Sequence, residues 1–144
     1  MAGSIIIGSD HAGFELKEKI RRHLASSGYR VEDAGTFSDA SVNYVDVGRK
    51  VAAAVSEGRF LKGILICGSG IGMSMAANRF KGVRAALCAD LLSARLSRQH
   101  NDANVLALGG RMIGDVLAME LVDTFLDTEF EGGRHLDRIR SMDA

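Results

Sequence analysis

The segment Gly63-Ile64-Leu65-Ile66-Cys67-Gly68-Ser69-Gly70-Ile71-Gly72 decides the fold. An apolar run bounded by glycine has the character of a strand buried on both faces, the kind found in parallel sheets. It ends in a cysteine, passes straight into three alternating glycines, and a helical pattern opens at Ile71. Glycines at such a strand-to-helix turn allow a tight bend whose N–H groups converge on an anion at the helix N-terminus. The same field favours a thiolate at Cys67 over a thiol. A candidate base thus stands beside a candidate oxyanion hole, and that pairing points to chemistry as well as packing.

Outward from this segment, short β-like runs alternate with longer helical patterns. Strands are predicted at 4–9, 29–33, 63–67, 83–89 and 104–108. Helices are predicted at 14–26, 46–57, 71–79, 91–100 and 115–126, with a last one over the polar segment 131–143. Phe14, Leu16, Ile20 and Leu24 mark the inner face of the first helix; Val47, Val51, Ala54 and Val55 mark that of the second. Regular alternation implies a doubly wound α/β architecture, a Rossmann-like three-layer α/β/α arrangement around a five-stranded parallel sheet. No linker, repeat or low-complexity stretch divides residues 1–144, so one domain is expected. Ligands of such sheets bind outside the carboxyl ends of the strands. There Asp10-His11, Cys67 and Gly109-Gly110-Arg111 are expected to face one crevice.

Composition narrows the partners. Eighteen basic and eighteen acidic residues balance, leaving no global field to gather nucleic acid or a membrane surface. Two cysteines without framework spacing fit neither a disulfide scaffold nor a zinc motif, and no signal-peptide pattern opens the chain, so a cytoplasmic protein is expected. Cys88, inside the run Val83-Arg84-Ala85-Ala86-Leu87-Cys88, reads as core. Gly68-Ser69-Gly70-Ile71-Gly72 only partly matches a dinucleotide fingerprint: its third glycine is one place early, with Met73 where the motif needs glycine.

Each remaining candidate has a plainer reading beside it. Asp10 suits an N-cap as well as a ligand-binding strand end. His23 sits among arginines, as on a solvated face, and His100 at a helix C-terminus has a structural use there. Arg134 and Arg138, four apart, would present two guanidinium forks to a phosphate on one helical face, or simply to water. Arg111 could add a third.

Taken together, Gly8-Ser9-Asp10-His11-Ala12-Gly13-Phe14, Cys67-Gly68-Ser69-Gly70-Ile71-Gly72, Ser97-Arg98-Gln99-His100-Asn101-Asp102-Ala103-Asn104-Val105 and Glu131-Gly132-Gly133-Arg134-His135 resemble, in order and spacing, the type B ribose-5-phosphate isomerase family within the ribose and galactose phosphate isomerases. The resemblance runs nearly end to end. It implies an aldose–ketose isomerase that opens a sugar-phosphate ring and moves a proton between C2 and C1 through an enediolate, without metal or cofactor. Cys67 matches the family's base and His100 its ring-opening acid/base. The N–H groups around Gly68, Gly70, Ile71 and Gly72 match its oxyanion hole, with Ser69 bonding O1 or O2. Asp10 matches a residue gripping sugar hydroxyls; His11, Arg111, Arg134 and Arg138 match the phosphate set, with Asn101 nearby. The family assembles as dimers or tetramers with shared sites. That division puts Asp10, His11 and Cys67 on one subunit, and His100, Asn101 and the late arginines on the other.

One departure stands out. The family commonly carries Asp-Tyr-Pro where this chain reads Asn43-Tyr44-Val45. Tyr44 keeps its possible sugar contact, while loss of the proline is expected to free the loop backbone. Ribose 5-phosphate is the first expectation for substrate. Galactose 6-phosphate, allose 6-phosphate and a tetrose phosphate are the alternatives within the family, and a non-catalytic module binding a sugar phosphate or nucleotide is the alternative outside it.

Overall fold

Alternate residues of each inner strand point to opposite faces of the sheet, and the core divides accordingly. Ile5, Ile7, Ile64, Ile66, Leu106 and Leu108 belong to one apolar cluster; Ile6, Leu65, Cys67 and Val105 belong to the other. The computed structural model describes residues 3–144. Its elements run β1 (Ser4–Ser9), α1 (Phe14–Ser26), β2 (Arg30–Asp33), α2 (Tyr44–Ser56), β3 (Lys62–Cys67), α3 (Ile71–Ala77), β4 (Ala85–Leu87), α4 (Leu91–Gln99), β5 (Val105–Gly109), α5 (Asp115–Asp127) and α6 (Arg134–Asp143). A single 3-10 turn, His11–Gly13, leads into α1.

All five strands are parallel, in the order β2-β1-β3-β5-β4. Leu16, Ile20 and Leu24 of α1, Ala94 of α4 and Leu121, Val122 and Phe125 of α5 cover one face. Val47, Val51, Ala54 and Val55 of α2 cover the other with Met73 and Ala77 of α3. The result is the expected α/β/α three-layer arrangement. Chain order reverses between β1, whose crossover leads outward to β2, and β3 on its other side. The crevice at their carboxyl ends is therefore the place where such sheets bind ligands. Among the described residues no helix is long and apolar enough to cross a membrane.

Several boundaries differ from the sequence reading, each for a local reason. β4 is shorter than 83–89 because side-chain amides replace ladder bonds at its start. Asn104 Oδ1 accepts from the Arg84 N–H at 2.8 Å, and Asn78 Oδ1 accepts from the Ala85 N–H at 2.7 Å. The same Asn78 ends α3 two residues early. α2 begins at Tyr44 instead of Asp46 because Asn43 caps it, its Oδ1 accepting from the Val45 N–H at 3.0 Å. The backbone at the family's proline position is thus tied down, not freed. α6 begins at Arg134, not Glu131, since Gly132 and Gly133 take φ of 70° and 58°. His23 is no mere solvated residue: its Nε2 lies 2.7 Å from Asp123, joining α1 to α5.

Lys17 is fully buried and its ammonium lies 2.7 Å from both carboxylate oxygens of Asp33. Asp33 Oδ1 also accepts from the Gly35 N–H at 2.9 Å, and the Gly35 carbonyl accepts from the Ser9 N–H at 2.7 Å. A buried charge so paired fixes the segment after β2 against the end of β1, beside the crevice.

Candidate active site

Cys67 closes β3 and is buried at 4% exposure on the α2–α3 face. The chain then turns through Gly68 and Ser69 to Gly70, which sits at φ 79° ahead of α3. The Gly70 N–H donates to Cys67 Sγ at 3.1 Å, and the Ile71 N–H donates to Ser69 Oγ at 3.2 Å. A Cβ on Gly70 would stand 2.9 Å from the Leu108 backbone carbon and 2.5 Å from Leu87 Cδ1. Gly70→Ala is therefore expected to lower stability by about 1–3 kcal/mol from the left-handed backbone alone, with the clash added. A urea unfolding midpoint equal to wild type would refute this.

The end of β5 folds onto the same turn. The Gly110 N–H donates to the Cys67 carbonyl at 2.8 Å and the Arg111 N–H to the Gly68 carbonyl at 3.0 Å. A Cβ on Gly109 would lie 2.6 Å from the Ser69 carbonyl oxygen, so the close crossing requires glycine. From the end of β1, the Asp10 N–H donates to the Ile66 carbonyl at 3.1 Å. Asp10 Oδ1 caps the 3-10 turn by accepting from the Gly13 N–H at 3.1 Å. His11 follows, and its Nδ1 accepts from the Val42 N–H at 3.1 Å. A nitrogen that accepts carries no proton, so Nε2 is the donor of the neutral ring.

These strand ends enclose an open cleft of about 640 Å³ lined by Asp10, Tyr44, Cys67, Ser69, Gly72 and Arg111, with Gly68 and Ile71 on its wall. The Tyr44 ring packs over Gly72, where a Cβ would come within 2.6 Å of Cε2. Met75 and Met112 complete the apolar wall and had no sequence signal beyond helical or loop position. Cys88, the other thiol, is core: burial above all, with Asp90 adding, pushes it up to about 11.

His100, Asn101, Arg134 and Arg138 lie elsewhere. The segment from His100 to Asn104 feeds the amino end of β5, where the Asn104 carbonyl accepts from the Gly63 N–H at 2.9 Å. Cys67 is at the opposite end of the same strands. The His100 ring stacks on His135, centroids 4.4 Å apart and 14° between planes. Glu131 Oε1 lies 3.8 Å from His100 Nε2 and 3.7 Å from His135 Nε2. Desolvation, then the neighbouring His100 and Arg134, hold His135 below its ordinary pKa. Arg134 and Arg138 are both exposed on α6. Asn101 lines a second cavity, about 580 Å³, with Arg84 and Asp143. Glu131 and His135 belong to the motif Glu131-Gly132-Gly133-Arg134-His135, in which the sequence assigns neither a role; His135 and Ile139, four apart and both buried, mark the inner face of α6.

Residues 5–142 match the model of a family described as Ribose/Galactose Isomerase. The chain is 49% identical over 140 residues to the ribose-5-phosphate isomerase B of Escherichia coli, covering 97% of this chain and 94% of that one. It is 42% identical over 141 residues to the D-erythrulose-4-phosphate isomerase of Pectobacterium atrosepticum, covering 96% and 92%. The crystal structure of a ribose 5-phosphate isomerase from Thermotoga maritima superposes with a TM-score of 0.95 at 54% identity, covering 97% of each chain. A family match over nearly the whole chain, with relatives at this identity, decides the matter: this chain belongs to the ribose/galactose isomerase family.

Proposed function

We propose that the protein interconverts ribose 5-phosphate and ribulose 5-phosphate in an active site completed by a second copy of the chain. The observation that carries the reading is the cleft at the β1–β3 switch point, where Cys67, Ser69 and the glycine turn face open space beside Asp10 and Arg111. In the open-chain aldose, Cys67 Sγ as the thiolate takes the C2 proton. The C2–H electron pair forms the C1–C2 double bond, and the carbonyl pair moves onto O1. N–H groups of the turn stabilise that oxygen, the largest expected contribution to such a step. Ser69 passes the O2 proton to O1, the O2 electron pair forms the C2 carbonyl, and the C1–C2 pair takes the proton back from Cys67 at C1, giving the ketose with the thiolate restored. Asp10 holds sugar hydroxyls.

His100 opens the ring by taking the anomeric hydroxyl proton at one nitrogen and giving one to the ring oxygen from the other, as an imidazole can. Because His100 lies at the far end of the strands from Cys67, it serves the cleft of a partner copy. Large exposed apolar side chains support a covered surface next to the cleft: Ile71 and Met75 of α3, Leu87 of β4, and Leu91 and Leu92 of α4. His11 through Nε2–H, Arg111, and the partner-supplied Arg134 and Arg138 bind the phosphate, with Asn101 beside them. Two arginines one helical turn apart suit that dianion. No metal or cofactor enters any step.

Two relatives at 49% and 54% identity are ribose 5-phosphate isomerases, which supports a pentose as the first substrate, while the erythrulose phosphate enzyme at 42% lies within the range those isomerases span, down to 40%. Proton NMR of ribose 5-phosphate in deuterated water tests the reading. Loss of the C2 proton signal with growth of ribulose 5-phosphate is expected; an unchanged spectrum at high enzyme concentration rejects this substrate. Arg134→Ala is expected to weaken binding of ribose 5-phosphate while leaving any binding of ribose unchanged. Equal loss for both sugars would place the phosphate anchor elsewhere.

A further inference from the structure

We propose that His100, Glu131 and His135 form a site for a divalent transition metal, zinc above all, whose occupancy inhibits the enzyme by engaging the His100 imidazole. The binding claim stands on geometry alone; the inhibition rests on the role proposed for His100. Two imidazoles and one carboxylate are the donor set of zinc sites that keep a fourth position for water. Here the three ligand atoms lie within 4.8 Å of one another. Both Nε2 atoms face the same carboxylate oxygen, at 3.8 and 3.7 Å. Ligand atoms about 2.1 Å from a tetrahedral zinc are about 3.4 Å apart: movements of a few tenths of an ångström close the carboxylate–imidazole gaps, and the half-exposed His100 ring, stacked on His135 at 14° between planes, turns out of the stack so that both Nε2 lone pairs converge on the ion.

The ligands come from two segments held together by the backbone. The Glu131 N–H donates to the Gln99 carbonyl at 3.1 Å, which sets Glu131 beside the end of α4. The His135 N–H donates to the Gly132 carbonyl at 3.2 Å, which fixes the ring's approach from α6. His135 is buried and supplies the rigid wall, whereas Glu131 and His100 keep enough exposure for a metal to reach them and for their side chains to adjust. At these separations the carboxylate makes no hydrogen bond to either ring, so a metal would not have to break one. Its bound position would put the cation on Nε2 of the imidazole assigned to ring opening.

Cys67 is the competing ligand, since a thiolate also takes zinc, and the experiment must separate the two. Zinc is titrated calorimetrically into the metal-free full-length protein and into Glu131→Gln, His135→Asn and Cys67→Ala, with circular dichroism checking the fold of each. One zinc per chain is expected. Glu131→Gln and His135→Asn should each weaken it at least about tenfold, the lower end of what even an outer-shell loss costs a metal site. Cys67→Ala should leave it unchanged. Unaltered affinity in both site variants, or loss of zinc from Cys67→Ala, overturns the proposal. With wild type, inhibition of ribose 5-phosphate turnover should rise with occupancy and reverse on chelation; full activity at saturating zinc refutes the inhibitory role. A metal-free protein that binds zinc as expected but never isomerises ribose 5-phosphate would reject the isomerase reading and leave the metal site standing.

Discussion

Cys67→Ala is expected to bind ribose 5-phosphate with near wild-type affinity and to lose turnover by at least about 10²–10⁴-fold, the range for removing a general acid–base group. The sulfur is small and lies at the end of β3 at 4% exposure, while Asp10, Tyr44 and Arg111 line the cleft around it. Its removal takes away the proton acceptor and little of the binding surface. The buried Gly70 N–H that donates to Sγ at 3.1 Å loses its acceptor, while the residues that line the cleft keep their places. The loss should therefore fall on kcat and not on KM. Exchange of the C1 protons of ribulose 5-phosphate with deuterated water gives a second readout that needs no ring opening. In Cys67→Ala that exchange should stop together with isomerisation. A variant that still exchanges C1 protons at the wild-type rate would remove Cys67 from the proton-transfer step.

His100→Asn should behave differently. Turnover of ribose 5-phosphate should fall because the ring must open unaided, whereas the C1 exchange of open-chain ribulose 5-phosphate should persist. The two variants thus split ring opening from proton transfer.

The contrast between these residues also marks how much the sequence made legible. The Gly63–Gly72 segment announced its strand, turn and helix because each signal is local: an apolar run, glycines, then a helical period. The cleft followed from topology, since parallel strands must bring Asp10, Cys67 and Arg111 to the same end of the sheet. Local pattern gave no warning where long-range side chains replaced backbone pairing. Asn78 and Asn104 shorten β4 through amide bonds to Ala85 and Arg84, and no window of sequence shows an asparagine which strand it will bond. At Val45 the expectation of a freed backbone failed because Asn43 supplies the acceptor. The grouping of Glu131 and His135 with His100 depends on a backbone bond between Glu131 and Gln99, thirty-odd positions apart, and was invisible before the fold was known. The membership of His100 and the late arginines in the cleft's chemistry rests on resemblance, since one chain keeps them apart from Cys67.

That separation leads to the sharpest expected result. Cys67→Ala and His100→Asn homo-oligomers, each nearly inactive on ribose 5-phosphate, should regain activity when unfolded together, mixed in equal amounts and refolded. With the proposed shared site, every site of a two-fold dimer takes Cys67 from one subunit and His100 from the other. A mixed dimer therefore carries one site with both lesions and one site with neither. Random pairing makes half of the dimers mixed, and half of their sites intact, so about one quarter of the wild-type specific activity should return. A site built within one chain predicts none, because every site would then keep its lesion whatever its neighbour. Recovery near one quarter would establish that catalysis crosses the interface. Recovery of nothing, with mixed dimers demonstrated by mass spectrometry, would mean that His100 serves the site of its own chain and would overturn the shared site.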